Sequence, residues 1–313
     1  MRKEEVLEKK IAVVGVGGVG GYIAGMLGKT FPHLSVVARK NRGESIREKG
    51  LILHSDYNGE IVVHPEHVAG SSEELEPQDV IFVCVKNYSL EQVCEELKDA
   101  VTKDTVIVPV MNGVDPGERT RKFLGNGIVI DSLIYIVAFA KEDYSILQQG
   151  DYADVRIGIK HADEKQKQAI ALADEVLTIA GIDHNVSEDI ERDIWKKYIL
   201  NCAYNVASAY YDNNIGQLRS NPEHAKEYEQ LVWEAYAVAK KKNIAVTKED
   251  ADAIIHRFYY EMADDATSSL QRDIRNGKTA EVETFSGYLV KEAKRLSVDA
   301  PVSEKMYEKL KNY

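Results

Sequence analysis

The chain has 313 residues, carries 40 Lys and Arg against 51 Asp and Glu for a formal charge of −11, and is 44% apolar. That length suggests about two domains, and the ordinary globular balance excludes whole-chain disorder. The acidic balance speaks against a general nucleic-acid binder, and Cys84, Cys94 and Cys202 form no CxxC pair and no disulfide framework.

Ile11–Val14 is short, fully apolar and rich in β-branched residues, the pattern of a buried parallel strand. No charge occurs from Ile11 to Gly28, yet seven glycines interrupt the run. An export signal or a membrane span needs a helix-competent apolar stretch, so the expectation is a soluble, cytoplasmic protein with no membrane partner. The period turns helical over 22–29 and strand-like over 34–38. Leu51–Leu53 and Ile61–His64 flank Asn58-Gly59, a strong hairpin signal. His64 and His67 flank Pro65 in an expected surface loop. No HxxxH or HExxH occurs, so no metal site is expected. Asp79–Val85 is a strand, and Ser89 with Gln92 forms a capping-box pattern opening a helix over 90–99. Strands follow over 105–111, 128–136 and 154–159, then a helix from Glu164 to Ala180 stopped by Gly181.

From about residue 188 the period is helical, over 189–210, 222–242, 248–262, 265–275, 280–296 and 302–312. The pattern predicts an α/β protein with an N-terminal Rossmann-like, doubly wound, mostly parallel sheet over 1–188. A second, all-helical domain is expected over 189–313. Ligands of such sheets lie beyond the carboxyl ends of the strands, and clefts between domains are favoured.

Gly15-Val16-Gly17-Gly18-Val19-Gly20 fits G-x-G-x-x-G, directly after one strand and opening a helix. There glycines permit the tight turn and close approach to a pyrophosphate, and the helix N-terminus supplies N–H donors. Where an acidic residue would hold the ribose 2′-hydroxyl of NAD, this chain has Arg39-Lys40-Asn41-Arg42. A guanidinium forks onto phosphate oxygens, and no carboxylate stands ready to repel a 2′-phosphate. The reading is NADP(H) binding, against the alternative of a solvated basic loop.

In the helical half Lys197, Asn201 and Asn205 recur at i, i+4 and i+8, along one helix face. Such a stripe either faces solvent or, if buried, needs hydrogen-bond partners. Ser269 and Asp273 lie one turn apart, and Glu281 follows near the start of the next helix, with Thr279 as a candidate N-cap.

Together these residues resemble the ketopantoate reductases (2-dehydropantoate 2-reductases), which make pantoate for pantothenate and coenzyme A. The resemblance runs from Lys10 to about Leu310. It rests on the glycine loop, Val85-Lys86, Met111-Asn112-Gly113, the helix bearing Lys197, Asn201 and Asn205, and Ser268-Ser269 with Asp273 and Glu281. It implies that NADPH donates hydride to a small 2-oxo acid, ketopantoate. Lys197 would be the general acid, with Glu281 holding the substrate hydroxyl. Asn201 and Asn205 would bind substrate oxygens, and Ser269 the carboxylate. Lys86 and Asn112 would line the cofactor–substrate cleft, with Gly15, Gly17, Gly18, Val19 and Gly20 on the pyrophosphate and Arg39 on the 2′-phosphate. Departures from the family pattern occur at Asp115, Val206-Ala207, Val282-Glu283 and Ser286. They leave open a paralogue acting on another branched 2-oxo acid. A non-catalytic NADP(H) sensor is the reading from another class, and Lys197 with Glu281 argues against it. A homodimer is compatible with all of these.

Overall fold

A computed structural model describes residues 2–313 and divides the chain into two compact units, 1–190 and 191–313. The first unit opens with α1 (Lys3–Leu7), β1 (Ile11–Val14), α2 (Gly18–Leu27), β2 (Leu34–Val37) and α3 (Asn41–Lys49). The hairpin β3 (Leu51–Ser55) and β4 (Gly59–Val63) follows, then β5 (His67–Ala69), β6 (Val80–Val83), α4 (Leu90–Glu96) and β7 (Val106–Pro109). The unit is completed by α5 (Pro116–Leu124), β8 (Ile128–Val129), β9 (Asp131–Ala140), β10 (Ile146–Gly158), α6 (Glu164–Ala180) and β11 (His184–Val186).

Six strands form a parallel sheet in the order β5-β2-β1-β6-β7-β8. Its central strands are buried on both faces. Ile11 and Val13 point into one core layer, while Ala12 and Val14 point into the other. Successive side chains of a strand alternate in this way, which is why the run is apolar without interruption.

A second sheet of five strands has the order β11-β10-β3-β4, with β9 paired antiparallel to β10. The sequence pattern does not separate this sheet from the first. α2 packs against β1 on one side and against β3, β9 and β10 on another. Its residues from Gly20 to Leu27 are all buried, as expected of a helix that is apolar all round. The uncharged, glycine-rich stretch is therefore a central helix. A Cβ at Gly18, Gly21, Gly25 or Gly28 would fall 2.2, 2.4, 3.0 and 2.7 Å from Ala138, Ile146, Leu53 and Val63 of the second sheet.

Local signals hold at α6, where Asp163 and Gln166 form a reciprocal capping box and Gly181 closes the helix at φ +69. They fail at α4. Ser89 ends a 3₁₀ turn (Asn87–Ser89) with φ −100 and ψ −6, and its side chain caps nothing. A capping serine needs extended backbone to swing its oxygen over the N–H groups. Gln92 donates instead to Glu96. His67 starts β5 and does not sit in a loop, because residues 67–69 pair with β2.

The second unit comprises α7 (Ile190–Tyr211, whose first residue belongs to the first unit), α8 (Ile215–Ser220), α9 (Pro222–Lys241), α10 (Lys248–Tyr260), α11 (Ser269–Arg275), α12 (Tyr288–Leu296) and α13 (Pro301–Leu310). α9 packs against α8, α10, α12 and α13. Its buried Glu234 accepts hydrogen bonds from Val302 N and Ser303 N, so a carboxylate from one helix caps the start of another. The helix expected over 280–296 is interrupted by a π turn at Glu283–Gly287. Its helical residues begin at Val282, which leaves Thr279 too far back to cap it.

Candidate active site

The glycine loop connects β1 to α2 at the carboxyl end of the parallel sheet. Its glycines have different physical reasons. Gly15 has φ +92, and a Cβ there would lie 2.9 Å from the Cys84 carbonyl oxygen. At Gly20 a Cβ would lie 1.9 Å from the carbonyl oxygen of Gly15, so only glycine lets strand and helix approach this closely. Gly17 has φ −89, and nothing stands within 4 Å of a Cβ placed there. Neither backbone conformation nor internal packing demands glycine at 17. An open face beside the first turn of a ten-residue helix is the cradle that a pyrophosphate requires. Val19 packs partly against the core.

A groove of about 270 Å³ is lined by Gly15, Gly17, Ala38, Arg39, Ser72 and Val93, among others. The basic cluster is only in part a loop, since Asn41 and Arg42 already belong to α3. The Arg42 guanidinium donates to the Val16 carbonyl of the glycine loop. Arg39 is half exposed, and its Nη2 donates to both carboxylate oxygens of Glu96, at 3.0 and 3.1 Å. This corrects the expectation that no carboxylate stands near Arg39 to repel a 2′-phosphate. Glu96 lies 57 residues away in sequence, at the end of α4, and meets Arg39, just after β2, only in the folded chain.

Lys86 follows β6, and Asn112 follows β7, so both lie on the same sheet edge as the glycine loop. The two loops are tied together. Asn87 Nδ2 donates to the Asn112 carbonyl at 2.8 Å, while Arg119 donates to the Asn87 side chain and carbonyl at 3.1 Å. Arg119 and Asn87 were not singled out from the sequence, and their distance along the chain leaves no local signal.

In the helical unit, Asn205 is buried and the stripe is bonded. Asn205 Nδ2 donates to Asn201 Oδ1 at 3.3 Å. Its own Oδ1 accepts from Ser269 Oγ at 3.1 Å and from Leu270 N at 3.2 Å. Asn205 thereby pins the start of α11 and orients Ser269, which its spacing alone left open. Lys197 is partly buried on the same stripe. Burial lowers its ammonium to about 8, and the Glu281 carboxylate opposes that shift. Glu281 itself is buried. Lys196 points elsewhere, pairing with Asp250 at 3.1 Å.

Two further residues support Glu281. The Glu281 carbonyl accepts from Thr284 N and Phe285 N at the start of the π turn. Tyr198 OH donates to the Thr284 carbonyl at 3.0 Å, and Cys202 Sγ to the Phe285 carbonyl at 3.2 Å. Tyr198 and Cys202 form a second i, i+4 pair, one residue on from Lys197 and Asn201. That spacing was the available signal. π turns leave carbonyls needing such partners and often mark functional sites.

Among the described residues, no helix is long and apolar enough to cross a membrane, and no group of three His, Cys, Asp or Glu could hold a metal ion. The family model described as "Ketopantoate reductase PanE/ApbA" matches residues 11–161, and its C-terminal counterpart matches 189–313. The chain is 29% identical over 307 residues to the "Uncharacterized oxidoreductase YkpB" of Bacillus subtilis, covering 97% of this chain and 98% of that one. It is 26% identical over 299 residues to the 2-dehydropantoate 2-reductase of Aquifex aeolicus, covering 94% of both. The crystal structure of 2-dehydropantoate 2-reductase from Methylococcus capsulatus superposes with a TM-score of 0.83 at 27% identity, covering 96% of each chain.

Proposed function

We propose, from the premise that this chain belongs to the ketopantoate reductase family, that it reduces 2-dehydropantoate to pantoate with NADPH. The family makes it an oxidoreductase of CH–OH groups using NADP(H). The open face at Gly17 fits that cofactor. The observation that carries the catalytic reading is the partly buried Lys197, whose ammonium is lowered by burial to about 8 against the opposing charge of Glu281.

Bound at the glycine loop, with Arg39 at the 2′-phosphate, NADPH supplies hydride chemistry. The chain's own residues do the rest. Hydride addition to a ketone places negative charge on its oxygen, and Lys197 Nζ delivers a proton there. A lysine near 8 is protonated at neutral pH yet gives up its proton more readily than an ordinary one. Glu281 holds the substrate hydroxyl and keeps Lys197 charged. Ser269, oriented by Asn205, takes the carboxylate. Asn201 takes a substrate oxygen, whereas Asn205, with its carbonyl committed to α11, acts mainly by positioning. Lys86 and Asn112 would line the cofactor–substrate cleft. Residues 1–188 would serve as the nucleotide domain and 189–313 as the substrate domain of a cytoplasmic enzyme.

A second reading, a different branched 2-oxo acid, rests on the departures from the family pattern, of which Ser286 is one. It replaces a residue that is often Asn in the family. NADPH oxidation with purified protein and a panel of 2-oxo acids tests both. The highest kcat/KM should fall on 2-dehydropantoate. A clear preference for another acid would move the substrate, and NADPH binding without any turnover would make the chain a sensor.

A further inference from the structure

Arg39, which lines the groove, is part of a charge arrangement that the glycine loop does not explain. Glu96 is the last residue of α4, and its carboxylate is only 11% exposed, against 47% for Arg39. It is anchored from a second side by Gln92 Nε2 at 2.8 Å. Ser89 and Val93 line the groove, and the spacing 89, 93, 96 places Glu96 on the same helix face. Ser72 lines the groove too. It is 1% exposed, and its hydroxyl has no partner among the described residues.

We propose that Glu96 sets how strongly the chain prefers NADPH over NADH, by competing with the 2′-phosphate for the Arg39 guanidinium. The inference rests on the reading that Arg39 meets the 2′-phosphate. Only Nη2 is engaged by Glu96, so the guanidinium keeps other donors for a phosphate. A phosphate that takes Nη2 must displace the carboxylate from it, and the charge of Arg39 is shared between the two anions. NADH carries a hydroxyl at the same position and leaves the ion pair intact. Glu96 therefore weakens NADPH selectively. It narrows a preference that Arg39 alone would make wider.

The test uses the full chain and direct binding titrations, with NADPH, NADH, adenosine 2′,5′-bisphosphate and 5′-AMP as probes. Glu96→Gln should tighten NADPH and the bisphosphate roughly three- to tenfold. NADH and 5′-AMP should change by less than about twofold on the same scale. Glu96→Ala should give the same pattern, which guards against a packing defect particular to one side chain. In an Arg39→Ala background the gain from Glu96→Gln should largely vanish. Unchanged NADPH affinity in both Glu96 variants, an equal gain for NADH, or a full gain without Arg39 would overturn the proposal. An Arg39→Ala loss equal for both nucleotides would instead bring down the reading of Arg39, and the inference with it.

Discussion

Lys197 and Lys196 are neighbours with opposite fates, about 100° apart around α7. If Lys197 is the acid, its protonated form carries the rate. kcat/KM should then be level at lower pH and fall above about 8, where an ordinary lysine would sustain it toward 10.5. Glu281→Gln removes the charge that raises Lys197, so the alkaline limb should move to lower pH. A pH profile of both proteins checks this, and an unmoved limb would mean that another group donates the proton. Lys197→Ala should lower kcat by about 10²–10⁴-fold, the usual worth of a positioned acid, with NADPH affinity little changed. Lys196→Ala should lower the melting temperature by loosening its tie to Asp250 while retaining turnover. Inactivation by Lys196→Ala with Lys197→Ala near normal would overturn the assignment of the helix face.

The glycines of the first loop and α2 make a different kind of forecast, because each is needed for a separate reason. Gly17→Ala meets no atom and keeps an allowed backbone, so it should fold with an unchanged melting temperature and lose NADPH affinity in a titration. Gly20→Ala drives a methyl against the Gly15 carbonyl and should destabilise by about 1–3 kcal/mol, seen as earlier thermal unfolding. If both variants merely unfolded, the open face at 17 would have no ligand to explain it. The π turn after Glu281 is the other element with consequences. Tyr198→Phe leaves the Thr284 carbonyl short of a partner, at about 1–2 kcal/mol. Through the turn that Glu281 opens, it should also displace the alkaline limb of the pH profile, which a purely structural role would leave in place.

Across the whole molecule, the two units should divide the labour. NADPH added to the full chain should slow amide exchange at 15–20 and at the start of α3, both in the first unit. A non-reactive 2-oxo acid analogue should slow exchange around 197–205 and 268–271, in the second. Hydrogen exchange read by mass spectrometry would show this, and protection in the reverse pattern would exchange the roles assigned to the units.

What was legible from the sequence was local. The β1–glycine loop–α2 unit, the capped helix α6 and the helical character beyond residue 188 follow from periodicity, caps and turn residues that act within a few positions. The stripe of Lys197, Asn201 and Asn205 was visible for the same reason, although its spacing could not say whether it faced solvent. Only the tertiary structure decided that Asn205 is buried and bonded to Ser269 and Leu270, 64 and 65 residues away. It also decided that β10 pairs with β3 in a second sheet, which turns a glycine-rich, uncharged run into the helix between them and β1. It brought Glu96 to Arg39 and Tyr198 to the π turn. Such partners are chosen by chain closure over long separations, where burial and hydrogen-bond satisfaction operate and no local period records the choice.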